Sequence, residues 1–416
     1  MFDITFPNAA PLLYVVLAIS ALALAWVYAF RLRRFKLVAK HASWQTEAQD
    51  IEVATHEALT SDVGGAYPYL SVVVPINEQS VDIHALLRVL FRQNYKGRFE
   101  VVLADENHSA DLFASYELLK KEHANLRYTF VPETSRYIEL RKLAITLGIK
   151  ASRGEWVVVV NPETIPMSDE WMQRFAENLG EGVNFAEAYY NYEDDGSLVA
   201  RRAIFERIDH LSSRIYAWEK GVVVGCQPAN WVVRKQWFIH ENGFADSLNL
   251  AFGEEAIFAN HKVEPENYVM LCSPATRLVE ELPAKHTLSI LRARDAEIRR
   301  HLSRRARAHQ GSSGLANFMA YVFALALIFY TVVRILTDVE AETYSQQMVY
   351  SDILALLLWG IGLSLPIHIV RTALRTLDER KYGLYIYFYE MMRPIYALSA
   401  EMGRRFHRDE FSRKYI

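Results

Sequence analysis

The sequence predicts an α/β fold: a doubly wound, mostly parallel sheet in the middle of the chain, with transmembrane helices flanking it. Two observations carry this. Between residues 69 and 160, unbroken β-branched runs alternate with amphipathic helical patterns, as parallel strands covered on both faces require. The hydrophobic excess (51% of 416 residues) gathers in uncharged runs near the two ends of the chain.

The first apolar run, Pro11 to Phe30, carries no charge. About 20 residues at helical rise cross a hydrocarbon core about 30 Å thick. A cleaved signal peptide would have a basic start and a shorter apolar stretch. Arg31, Arg33, Arg34 and Lys36 come directly after it, while Met1 to Ala10 lacks Lys and Arg. The positive-inside rule then puts the amino terminus outside and the residues after Phe30 inside. Two more runs, Leu315 to Val333 and Ile353 to Val370, enclose a loop with Asp338, Glu340, Glu342 and Asp352. Arginines flank this pair of runs on both sides, so both ends again face the cytosol. The stretch Tyr382 to Ala400 is aromatic but holds Glu390, Arg393 and Pro394. It is expected to lie in the interface as an amphipathic helix, since a fourth span would put the basic tail outside. The spans contain no ionisable residue except His368, which argues against a transporter.

Taken in order, the chain divides into an anchor (1–36), a linker (37–68), an α/β domain (69–285), a basic interfacial segment (286–314), two spans (315–370) and an interfacial helix with a basic tail (371–416). Inside the domain, Tyr69 to Pro75 reads as a doubly buried strand. Ile83, Leu86, Leu87, Leu90 and Phe91 then recur at helical spacing. Phe99 to Ala104, Arg127 to Val131 and Trp156 to Val160 are further strands, separated by helices over 111–122 and 136–151. A net charge of −3 removes nucleic acid as an expected partner. Cys226 and Cys272 are too few for a disulfide framework and are expected as buried thiols.

Ligands of such folds sit at the carboxyl ends of the strands. Three loops qualify: Pro75–Glu78, Asp105–Asn107 and Asn161–Thr164. No GxGxxG comes after the first strand and no GxxxxGK[ST] occurs, so dinucleotide oxidoreductase and P-loop readings lose their support.

Several blocks together resemble the family-2 glycosyltransferases, bacterial membrane-anchored enzymes with a GT-A-like fold. They are SVVVPINE (71–78), VVLADEN (101–107), RKLAITLGIKASRGEWVVVVNPETIP (141–166), the segment 228–261 and AEIRRHLSRRARA (296–308). The resemblance implies a multi-pass protein of the bacterial inner (cytoplasmic) membrane with a cytosolic catalytic domain. It would move a sugar from a nucleotide-sugar donor to a lipid-linked or glycan acceptor, with inversion. Asn77, Glu78, Asp105 and Asn161 would hold the nucleotide, aided by Arg299 and Arg300. Glu163 would hold Mg²⁺ or Mn²⁺, and Glu255, beside Glu254, would be the catalytic base.

The departures fall on the chemistry. Asn161 and Glu163 stand where the family has an Asp-x-Asp pair, which implies a weakened metal site, since hard cations prefer carboxylates to amides. Glu255 replaces an aspartate and is one methylene longer; an error of about 1 Å can cost on the order of a hundredfold in rate. Ala256 and His301 also depart from the family pattern. The same changes support a second reading: a homologue that keeps the fold and serves as a binding or scaffolding subunit.

Overall fold

The structure, a computed structural model, describes residues 32–42, 67–77, 83–132, 140–250, 252–310, 370–379 and 385–406, with isolated helical positions within 18–30 and at 353 and 357. A helix at 32–42 (α1) comes first. After it come β1 (Leu70–Ile76), α2 (Ile83–Leu90), β2 (Phe99–Asp105), α3 (Ala110–Glu122), β3 (Leu126–Phe130), α4 (Leu140–Ala151) and β4 (Trp156–Val159). This half matches the predicted alternation to within a residue or two at most ends. Residues 136–139 of the predicted fourth helix lie outside the described residues.

β1 lies between β2 and β4, parallel to both, with Val72 opposite Val101 on one side and Val158 on the other. Alternate side chains feed two cores. Val73, Val102, Val157 and Val159 face one, beneath α4; Val72, Val74, Val101 and Val158 face the other, beneath α2. Burial on both faces is why these strands read as continuous apolar runs.

The second half lies beyond the elements read from the sequence. It contains β5 (Thr164–Pro166), α5 (Trp171–Ala176), β6 (Phe185–Ala188), β7 (Tyr190–Tyr192), α6 (Leu198–Trp218), β8 (Trp231–Arg234), α7 (Lys235–His240), α8 (Glu254–Lys262), β9 (Tyr268–Leu271), β10 (Leu278–Glu280) and α9 (Lys285–His301). The large sheet runs β3-β2-β1-β4-β8-β6-β9, and β8 is antiparallel to both its neighbours. A separate sheet runs β5-β10-β7. The architecture is therefore a large, mostly parallel sheet, as expected, with β8 antiparallel inside it, plus a small second sheet.

Two segments outside the expected 69–285 domain pack against it. Residues 37–42, expected in the linker, belong to α1, which docks on the domain through Phe35, Val38 and Ala42. Arg34, expected to mark the membrane edge, is buried; its Nη2 donates to the Asp209 carbonyl and to Ser212 Oγ, both at 2.9 Å. Past 285, Leu288, Ile290 and Ala293 of α9 are buried as well.

Helices at 304–310 (α10) and 370–376 (α11) and α12 (Tyr385–Phe406) complete the described chain. α12 lies along α9, with Ile386 and Tyr389 in the core and Arg404 donating to Glu297 at 2.9 Å. Its Phe388, Ile395, Leu398, Met402 and Phe406 are exposed; at 100° per residue they form one stripe. Among the described residues no helix is long and apolar enough to cross a membrane. The predicted span 315–333 lies outside the described residues, as does most of 11–30 and 353–370.

Candidate active site

Parallel pairing brings the carboxyl ends of β1, β2 and β4 side by side, with Ile76 opposite Asp105. The first turn of α4 rests above them and delivers Arg141, which is 1% exposed. Its guanidinium reaches three ways. Nε donates to Glu254 Oε1 at 2.8 Å, Nη2 donates to Asn161 Oδ1 at 2.5 Å, and Nη1 lies 3.9 Å from Glu106 Oε1. Glu106 Oε2 in turn accepts from Asn77 Nδ2 at 3.5 Å. One buried cation thus ties together the loops after β1, β2 and β4 and the start of α8. Charge-assisted contacts of this kind are the strong ones; removing one member of a buried pair typically costs about 3–5 kcal/mol.

α8 begins at Gly253, whose φ of 68° is left-handed. A Cβ there would also stand 2.8 Å from Ile298 Cγ1 of α9, so only glycine fits the approach. Glu254 and Glu255 occupy the first turn, both buried. The Glu255 carboxyl is pushed up to about 7, first by burial and then by the charge of Glu254. Arg141 and Arg294 pull it the other way without cancelling the rise. Glu255 Oε2 has no hydrogen-bond partner among the described residues, and neither has Gln227 Oε1. The loop carrying Gln227 touches α8, where a Cβ on Gly225 would meet the Ala256 carbonyl at 2.9 Å. A buried acceptor with no donor is costly to keep.

The predicted site residues divide. Asn77, Asn161 and Glu254 are drawn into the Arg141 cluster, and Glu255 sits next to Glu254. Glu78 lies outside the described residues. Asp105 is fully buried, and its oxygens accept from the backbone N–H of Asn107 (2.9 Å) and Ser109 (2.8 Å) and from Tyr128 OH (2.6 Å). Those bonds brace the turn into α3. Arg299 and Arg300 are exposed in the last turn of α9, beyond Ile298. Cys226 and Cys272 are buried free thiols; burial first, then nearby carboxylates, raises the Cys226 thiol well above its ordinary value.

Of the two positions read against the divalent ion, one is already engaged and the other is open. Asn161 has given its amide oxygen to Arg141, and Glu163 is exposed. Among the described residues no three His, Cys, Asp or Glu side chains are grouped to hold a metal. The positive charge at this point is a guanidinium.

Sequence reasoning gave no role to Arg141, to Arg294 or, within the chosen loop 105–107, to Glu106. Arg141 had a signal: it shares a helical face with the buried Ala144, Ile145, Gly148 and Ile149, and a charge on an apolar stripe asks for a partner.

No family model matches the chain, and no curated protein matches it in sequence. Solved structures do match in shape. The mannosyltransferase PcManGT from Pyrobaculum calidifontis, in complex with GDP-Man and Mn2+, superimposes with a TM-score of 0.50 at 15% identity, over 89% of this chain and 99% of that one. S. aureus TarS 1-349 in complex with UDP-GlcNAc gives a TM-score of 0.39 at 14% identity, over 82% and 92%. What this chain shares with the mannosyltransferase is its fold.

Proposed function

We propose that this chain is a membrane-anchored glycosyltransferase of the bacterial inner membrane. It moves a sugar from a nucleotide-sugar donor to a lipid-linked or envelope glycan acceptor. The observation that carries the proposal is the buried Glu255 carboxyl, with an unpartnered oxygen and a raised pKa, next to a knot of strand-end residues. A base poised near the working pH is what acceptor activation asks for. The mannosyltransferase likeness supports the fold needed, and the flanking charge pattern supports the anchoring.

In this mechanism the acceptor hydroxyl gives its proton to Glu255 Oε2. The acceptor oxygen then attacks the anomeric carbon from the face opposite the nucleotide. The bond from that carbon to the diphosphate oxygen breaks, and the nucleoside diphosphate leaves with the electron pair. Arg141 fixes Glu254 and, through it, the first turn of α8. Arg299 and Arg300, exposed just past Ile298, supply positive charge to the diphosphate. No step is assigned to a metal.

The scaffold reading is favoured by one observation, the Asp105 carboxylate spent on its own loop. Calorimetric titration of the full-length, detergent-solubilised protein with UDP, GDP and dTDP, with Mn²⁺ or with chelator, separates the two. The enzyme reading predicts binding of at least one nucleotide, lost in Arg141→Ala and kept in chelator. Absence of binding by all three under both conditions would leave the scaffold.

A further inference from the structure

α1 has two faces with different fates. Arg34, Phe35, Val38 and Ala42 are buried against the domain. Arg33, Lys36 and Lys40 recur at i, i+3 and i+7, and all three are exposed. With Leu32, Leu37, Thr372 and Thr376 they line an open groove of about 760 Å³ between α1 and α11. The volume is that of a small-molecule site.

We propose that this groove binds a lipid with a phosphate headgroup, its chain against Leu32 and Leu37 and its phosphate against Arg33, Lys36 and Lys40. The setting rests on the membrane reading above: α1 comes after the apolar run 11–30 and α11 ends the run 353–370, so both helices meet the same face of the bilayer. Orientation alone would be served by cations anywhere around α1. Here three of them share one groove with apolar side chains, and that pairing is the complement of an anionic amphiphile. Three cations match a headgroup of net negative charge better than a zwitterionic one, and a free anion would leave the apolar side chains unused.

The test is equilibrium binding of fluorescent-tailed phosphatidic acid to the full-length protein in neutral detergent, with phosphatidylcholine and inorganic phosphate as competitors. At about fivefold per cation, Arg33→Gln, Lys36→Gln and Lys40→Gln together should weaken binding on the order of a hundredfold. Thr372→Trp, which fills the groove from α11, should weaken it with the charges intact. Gln at Lys121, Lys220 and Lys285, exposed elsewhere, should change nothing. Neither phosphatidylcholine nor inorganic phosphate should compete. Equal competition by phosphatidylcholine, equal loss in the remote triple variant, or indifference to both groove variants would each overturn the site. The anchoring itself is read separately, by whether alkaline carbonate strips the chain from membranes, so the two failures are distinguishable.

Discussion

Two glutamates, Glu187 in β6 and Glu255 in α8, are buried almost equally and live opposite lives. Glu187 accepts from Arg214 Nε at 3.0 Å, Tyr268 OH at 2.6 Å and the Gln227 backbone N–H at 2.9 Å. Glu255 shares its surroundings with a second glutamate and keeps an oxygen without a partner. A buried charge that is fully answered holds strands together; one left half answered has its pKa moved toward neutrality and is available for proton transfer. The floor of the domain and its chemistry differ by that one feature.

The comparison can be broken in order of expected effect. Glu255→Gln should lower transfer on the order of a thousandfold while nucleoside diphosphate binding stays within about twofold, a split visible by calorimetry beside a product assay. Glu187→Ala should do the reverse. It leaves Arg214 buried and unpaired, so stability should fall by about 3–5 kcal/mol at every pH tested, read from the unfolding midpoint.

The pH dependence sharpens the contrast. The folded pKa of Glu255, about 7, lies above the ordinary value of 4.5, so folding takes up a proton between those values. The protonated carboxyl favours the fold at low pH, and that contribution is lost as pH rises through about 7. Glu255→Gln, which cannot ionise, should therefore be more stable than the wild type at pH 8, by on the order of 3 kcal/mol, and equal to it below about pH 4.5. Unfolding at the two pH values checks this. Asp105→Asn should cost about 1–2 kcal/mol of stability and shift nucleotide affinity less than about threefold if the carboxylate is a brace. A tenfold loss of affinity would make it a grip. Glu163→Gln should be smallest, within about 0.5 kcal/mol in unfolding, because the side chain is exposed.

The same physics governs how much of the molecule was legible in its sequence. β1, β2 and β4 announced themselves because both their faces are buried, which forces unbroken runs such as LSVVVPI. β6 did not: FAEA is short, and its Glu187 breaks the apolar pattern while being buried with partners from three other segments. The small sheet of β5, β10 and β7 is equally quiet, with strands of three residues. At the site, the loops after β1, β2 and β4 could be chosen from topology alone. That Arg141 would join them could not, since its three partners lie 20 to 113 residues away or come from a separate loop. Asp105 was placed correctly at a strand end, yet its hydrogen bonds to its own loop depend on a turn geometry that composition does not encode.

The most direct test of the central claim, that Glu255 is a base held near neutrality in a sugar-transfer site, is a pH series of nucleoside diphosphate release. Membranes containing the wild-type chain or Glu255→Gln, with their native acceptors, would be supplied with UDP-, GDP- and dTDP-sugars in turn. The account predicts release from at least one donor, rising with pH through about 7 and absent in the variant. Release that is equal in the two proteins, or flat across that range, would contradict it.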